Sequence, residues 1–269
     1  MTADQPRVAT PLDPAAIQAA LERHGCPWRT VISVAETGST NADLVARVVG
    51  AGSSDGFVLV SDVQHAGRGR LDRSWQAPPG TALTFSVALH LGDVPHVRWP
   101  WLPLLAGVAV HEAVGRLSGL PVGLKWPNDL MLEGGLRKIG GILVEVAGSA
   151  STAIVGIGIN VGQATGELPV PTAGSLAVAG AVVDRIDLLA GILAELAAGF
   201  EQWRACGGDP AAGLRASYLS RCLTLGQEVL VSLPDRQLRG LATDIDSDGR
   251  LVVCGIAVSA GDVEHVRPV

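Results

Sequence analysis

The stretch VGLKWPNDLMLEGGLRKIGGILVEVA (residues 122–147) decides how the rest of the chain is read. It opens and closes with runs of Val, Ile, Leu and Met, which favour strands. Between them stand Trp126-Pro127-Asn128-Asp129 and the segment EGGLRK. Proline has no N–H for the middle of a ladder, so residues 122–132 read as one strand broken by a bend or bulge. EGGLRK reads as hairpin material leading into a further strand from Ile139. TAIVGIGINVG (152–162) supplies the next strand, again rich in Ile and Val.

Outward from that centre, helices join the strands. Residues 11–24 form a short helix with Asp13 as cap, Pro14 in first position and Ile17 and Leu21 on one face. VISVAE (31–36), GFVLVSDVQ (56–64) and ALTFSVALHL (82–91) read as strands. NADLVARVVG (41–50), about 101–118 and 184–203 read as helices, the last capped by Asp184. Residues 163–180 are a Gly/Pro/Ala-rich loop. From about residue 218 the texture changes to short strands, with turns at Pro234-Asp235 and Ser247-Asp248-Gly249, which suits a small SH3-type barrel of on the order of 50 residues. The expected division is 1–216 and 217–269.

Composition narrows the function. The 269 residues carry a formal charge of −6 and are 48% apolar. This is a folded chain without the basic face that non-specific nucleic-acid binding needs. Cys26, Cys206, Cys222 and Cys254 are scattered, with no CxxC pair, so a reduced cytoplasm is the expected home. The N-terminus lacks the pattern of a signal peptide, and the apolar run 99–110 is too short to span a bilayer.

QHAGRGRLDRSW (64–75) alternates Arg68 and Arg70 with glycines and adds Arg73. Such a turn can point successive N–H groups at an anion, and arginine grips carboxylate or phosphate in two places. A solvated basic loop or an RNA contact would use the same residues. GIGINVG gives a GxGxxxG spacing, but no helix follows, so a dinucleotide site is weakly supported. Gly156 and Gly158 share a strand face, which means close packing there by a strand or by a flat ligand. Ser39, Thr40 and Asn41 stand at a strand-to-helix junction, where capping explains at least one of them. Lys138 begins an apolar strand, either snorkelling to water or aimed into a pocket.

Taken in order, STN, QxAGRGR, KWPNDL, RKIGGILVE and GIGINV resemble the biotin–protein ligases. The likeness implies an α+β fold: a mixed-sheet catalytic domain of the biotin/lipoate ligase, class II synthetase-like type, plus a C-terminal SH3-like barrel. Only 38 residues precede Ser39, so the ligase-only type without an N-terminal DNA-binding domain is expected. It implies ATP-dependent activation of biotin to biotinyl-5′-AMP and transfer to a lysine of a biotin carboxyl carrier domain of an acyl-CoA carboxylase. Biotin, ATP and Mg2+ are the implied small molecules; DNA and membranes are not expected, and a homodimer is compatible with the family.

Carried over by motif, Lys138, Arg68 and Arg70 are the catalytic candidates. Ser39, Thr40, Asn41, Gln64, Gly69, Gly140 and Gly156, with those three, would bind biotin. Arg70, Arg73, Trp75, Lys125, Asn128, Gly158 and Asn160 would bind ATP, and Asp129 would either hold the metal or orient Lys125. One departure stands out: many relatives continue GRGR with Arg-Gly-Arg, whereas this chain has Leu71-Asp72-Arg73. A lipoate or octanoate ligase on the same core, or a biotinyl-AMP-binding regulator, are the competing readings.

Overall fold

The computed structural model describes residues 11–28, 30–51, 56–132, 134, 137–148, 151–233, 236–259 and 262–266. Helix α1 (Pro14–Arg23) begins as expected: Asp13 accepts a hydrogen bond from Ala16 N at 2.8 Å, and Ile17 and Leu21 are buried. Strand β1 (Thr30–Thr37), helix α2 (Thr40–Ala51) and strand β2 (Phe57–Gln64) follow. Two short strands, β3 (Gly67–Arg68) and β4 (Ser74–Trp75), lie within the Arg/Gly stretch. Then come β5 (Ala82–His90), a 3-10 turn His96–Trp101, and α3 (Leu102–Ser118). The central strands are β6 (Val122–Lys125), β7 (Asp129–Leu132), β8 (Lys138–Ala147) and β9 (Thr152–Asn160). Helix α4 (Arg185–Ala205), capped by Asp184, and the short α5 (Leu214–Leu219), which sequence patterning missed, close this part.

The seven-stranded sheet runs β1-β2-β5-β9-β8-β7-β6. Strands β1 and β2 are parallel, joined by α2, and every other neighbouring pair is antiparallel. The sheet is therefore mixed. Side chains of Phe85, Val87, Val155 and Ile159 join α1, α3 and α4 in the main core. On the opposite face α2 is the one helix among the described residues that packs, through Leu44 and Val48 against Leu59, Ala88 and Ile154. One helix cannot cover seven strands, so the rest of that face stays open.

Residues 122–132 correct the expectation of one distorted strand. They form a hairpin, with Lys125 opposite Asp129 and Trp126, Pro127 and Asn128 in the turn. Proline's missing N–H is harmless in a turn. The register irregularity lies one strand further on, where Leu130 faces Gly140 but Met131 faces Lys138. Ile139 is the extra residue there, and such a bulge re-aims the side chains beside it. The EGGLRK link is described only in part, since residues 133, 135 and 136 lie outside the described residues.

A second, antiparallel sheet comprises β10 (Glu228–Ser232), β11 (Gln237–Ile245), β12 (Leu251–Val253), β13 (Ile256–Val258) and β14 (Asp262–His265), in the order β13-β12-β11-β10-β14. It is the expected SH3-like unit. The expected turn at Pro234-Asp235 lies outside the described residues. Trp126 ties the two sheets: its N bonds Thr224 Oγ1 at 3.0 Å and its Nε1 bonds Gly249 O at 3.0 Å.

Candidate functional site

The open face of the large sheet is a cleft of about 1010 Å³, part of it continuous with solvent. Pairing decides what faces it. Gly158 stands opposite Gly141, and Gly156 opposite Leu143, and all four line the cleft. Gly140 stands opposite Ile159 on the other face, where an added Cβ would lie 3.5 Å from Leu130 Cβ. Gly140 is thus a core glycine, and the cleft residue is its neighbour Gly141. Alternation alone would bury Lys138 beside Gly140, but the bulge turns it to the cleft face with Asp129. There Lys138 Nζ lies 2.6 Å from Asp129 Oδ1.

The N-terminus of α2 forms one wall. Thr40 N and Thr40 Oγ1 both donate to Gln64 Oε1, at 2.8 and 3.0 Å. Asn41 Nδ2 donates to Glu145 Oε2 at 2.8 Å, and its Oδ1 accepts from Ser86 Oγ at 2.6 Å. Ser39, Thr40 and Asn41 are all buried. The face shared by Gly156 and Gly158 is filled by side chains. A Cβ on Gly156 would stand 2.3 Å from Asn41 Oδ1, and one on Gly158 2.6 Å from the Trp75 ring. Trp75 Nε1 is buried there without a hydrogen-bond partner.

The Arg/Gly stretch is a small hairpin. Gly67 pairs with Trp75 and Arg68 with Ser74, and Gly69 N bonds Arg73 O at 2.6 Å. Gly67 is obligatory, because a Cβ would come 2.4 Å from Trp75 O. Leu71 (φ 55°) and Asp72 (φ 56°) are the central residues of the turn, both left-handed. Two such residues make the hairpin turn that normally takes Asn-Gly or Asp-Gly. The departure from the family pattern therefore falls on the two positions least suited to it.

The arginines spread over the cleft. Arg68 reaches both oxygens of Glu145 at 3.0 Å. Arg73 pairs with Asp262, the first residue of β14, so the second sheet supplies part of the rim. Arg70 is the most enclosed, 3.4 Å from Asn128 Oδ1, while Asn128 Nδ2 holds Ile142 O at 2.8 Å. Burial draws the Arg70 guanidinium below its ordinary value, with Arg73 adding to this and Asp129 and Asp262 opposing it. Charge enclosed in this way binds anions strongly, since little water screens it.

Lys125, Gly69, Arg73, Trp75 and Asn128 also line the cleft. Asn160 does not. It follows Gly158 on the same face, but its Nδ2 is committed to Gly174 O at 2.8 Å under the 162–176 loop. Sequence reasoning missed Gly141 and Asp262 as cleft residues, and Ser86 and Glu145 as the partners that hold Asn41 and Arg68 behind it. Glu145 stood inside a quoted motif, yet its role appears only when β8 is set opposite Asn41 and Arg68.

Residues 38–162 match the Biotin/lipoate A/B protein ligase family, and residues 224–266 the Biotin protein ligase C terminal domain. The chain is 42% identical to a biotin--[acetyl-CoA-carboxylase] ligase of Mycobacterium tuberculosis, over 98% of this chain and 99% of the relative. It is 31% identical to the ligase of the same name from Paracoccus denitrificans, over 83% and 94%. The biotin protein ligase of Aquifex aeolicus, solved with biotin and ATP, superposes with a TM-score of 0.73 at 28% identity, covering 89% of this chain and all of that one. On these matches the chain belongs to the biotin protein ligase family.

Proposed function

We propose that the protein joins biotin to ATP and passes the biotinyl group to a lysine of a biotin carboxyl carrier domain of an acyl-CoA carboxylase. In the first step a biotin carboxylate oxygen bonds to the α-phosphorus and pyrophosphate leaves. In the second the lysine amine bonds to the acyl carbon, AMP leaves and the nitrogen loses its proton. The observation that carries the reading is the convergence of Arg68, Arg70 and Lys138 with Thr40 and Gln64 in one cleft. Two anions must meet in the first step, and fixed cations lower the cost of bringing them together. Lys138 and Arg70 are assigned to the carboxylate and α-phosphate, and need only charge and position. Ser39, Thr40 and Gln64 suit the polar ring of biotin, which an acyl chain such as lipoate would not require.

Trp75, Lys125, Asn128 and Arg73 are assigned to the nucleotide. Magnesium is assigned to enter with it and neutralise phosphate charge. Among the described residues no three His, Cys, Asp or Glu side chains form a cage. Asp129, paired with Lys138, is the carboxylate assigned to an ion held mainly by phosphate oxygens. The division at 216/217 is supported by the separate family matches to 38–162 and 224–266. Four free cysteines suit a cytoplasmic enzyme. No helix among the described residues is long and apolar enough to cross a membrane. A homodimer would have the edge strand β1 available.

The test is incubation with ATP, magnesium and a carrier domain, offering biotin and lipoate in separate reactions, with mass spectrometry of the carrier. A biotinyl adduct on one lysine supports the proposal. A lipoyl adduct alone would favour the lipoate reading, and adenylate formed but never transferred would favour a regulator.

A further inference from the structure

Glu145 is a carboxylate on a sheet face that α2 covers with apolar side chains. It stands opposite Ile154, which packs against Leu44 of α2. Two residues away along β8, Leu143 lines the cleft on one side and Ala147 joins the apolar contact on the other. Glu145 thus marks the boundary between the open and the covered part of the face. A carboxylate set beside apolar side chains costs free energy unless it is paired.

Its partners come from two separate segments. Arg68, in the first strand of the Arg/Gly hairpin, reaches both carboxylate oxygens at 3.0 Å. Asn41, in the first turn of α2, donates Nδ2 to Glu145 Oε2 at 2.8 Å. An ionised carboxylate only accepts, so the Asn41 amide must offer it the NH2 group and turn its oxygen the other way. There Ser86, fully buried, donates to Asn41 Oδ1 at 2.6 Å. The amide is therefore fixed at both ends. The same two segments also meet through the main chain: His65 N bonds Thr37 O at 3.0 Å and Ala66 N bonds Gly38 O at 2.8 Å. Those bonds join the approach to the hairpin to the approach to α2. Beyond them two ion pairs set the hairpin's direction, Arg68 with Glu145 near the base and Arg73 with Asp262 after the turn.

We infer that Glu145 is a positioning residue: its carboxylate clasps Arg68 to Asn41, so that the Arg/Gly hairpin is locked to the wall of Ser39, Thr40 and Gln64 and biotinyl-AMP stays enclosed between them. The inference rests on the proposed function. The side chains of Arg68 and Glu145 are 50% and 28% exposed, so the pair adds little to global stability. A local opening equilibrium responds to far smaller energies than the whole fold does, and the clasp acts there.

The experiment follows release of labelled biotinyl-AMP from the loaded enzyme for wild type, Glu145→Gln, Arg68→Gln and the double variant, beside single-turnover adenylate formation and melting curves. The glutamine carboxamide still accepts from Asn41 but gives up the charge that holds Arg68. Arg68→Gln, at a half-exposed side chain, remains informative if Glu145→Gln does not fold. Glu145→Gln is expected to release adenylate about tenfold faster, with a smaller fall in the rate of formation and a nearly unchanged melting temperature. The double variant is expected to release no faster than the faster single variant, because both substitutions break one contact. Wild-type retention in Glu145→Gln would overturn the inference. Losses that multiply in the double variant would overturn it too, since the two residues would then act apart. Faster release that tracks a fall in melting temperature would overturn it in favour of a purely structural role. A wild-type enzyme that forms no adenylate from biotin and ATP would overturn the proposed function itself, and the inference with it.

Discussion

Single atoms decide the character of the cleft. Gly156 has no space for a methyl group, because Asn41 Oδ1 occupies it and is itself held by Ser86. Gly156→Ala is expected to lower stability by about 1–3 kcal/mol, the usual range for overpacking. Biotin affinity should fall with it; thermal melting and titration calorimetry on one preparation check both. Leu71 presents the reverse case, a bulky residue at φ 55°. Left-handed backbone costs an ordinary side chain roughly 1–2 kcal/mol. Leu71→Gly is therefore expected to raise stability by about 1 kcal/mol, read as a higher denaturant midpoint. The motifs made the cleft residues legible because each motif is local. Gly140 was misassigned because adjacent glycines are equivalent in sequence, and only the pairing of Gly141 with Gly158 distinguishes them.

At the scale of elements, the joint between α3, α5 and the β6–β7 hairpin carries a titratable group. His111 Nδ1 lies 3.6 Å from Glu112 Oε1, and Arg221 Nε donates to the same carboxylate at 2.7 Å. Burial, then the charge of Arg221, holds the imidazole below its ordinary value of 6.5 despite Glu112. The native state thus refuses a proton that the unfolded chain accepts. Stability is present in full above pH 6.5 and is lost as pH falls through that value toward the lower native one. His111→Gln should flatten this part of the profile. Melting temperatures of both proteins between pH 7.5 and 5.5 provide the check; parallel curves would contradict it. Helices and long strands were readable from caps and periodicity. The 122–132 hairpin was not, because a proline reads alike in a bulge and in a turn.

At the scale of the whole molecule, the two sheets share the cleft through Arg73 and Asp262. Their side chains are 60% and 35% exposed, so the pair contributes less than about 1 kcal/mol to the fold. Its expected effect is on the Arg/Gly hairpin. Asp262→Asn should leave the melting temperature nearly unchanged but speed loss of biotinyl-AMP. Release of labelled adenylate, followed by filter binding, measures this. The amino-acid order alone determined the family, most of the strands and helices, and most of the cleft residues, because caps, alternation and anion-binding motifs are written in neighbouring residues. The tertiary structure decided which glycine faces the cleft, how Lys138 turns into it, and which carboxylates meet the arginines. Those outcomes depend on register, a bulge and contacts between residues up to 189 positions apart, and no local pattern encodes them.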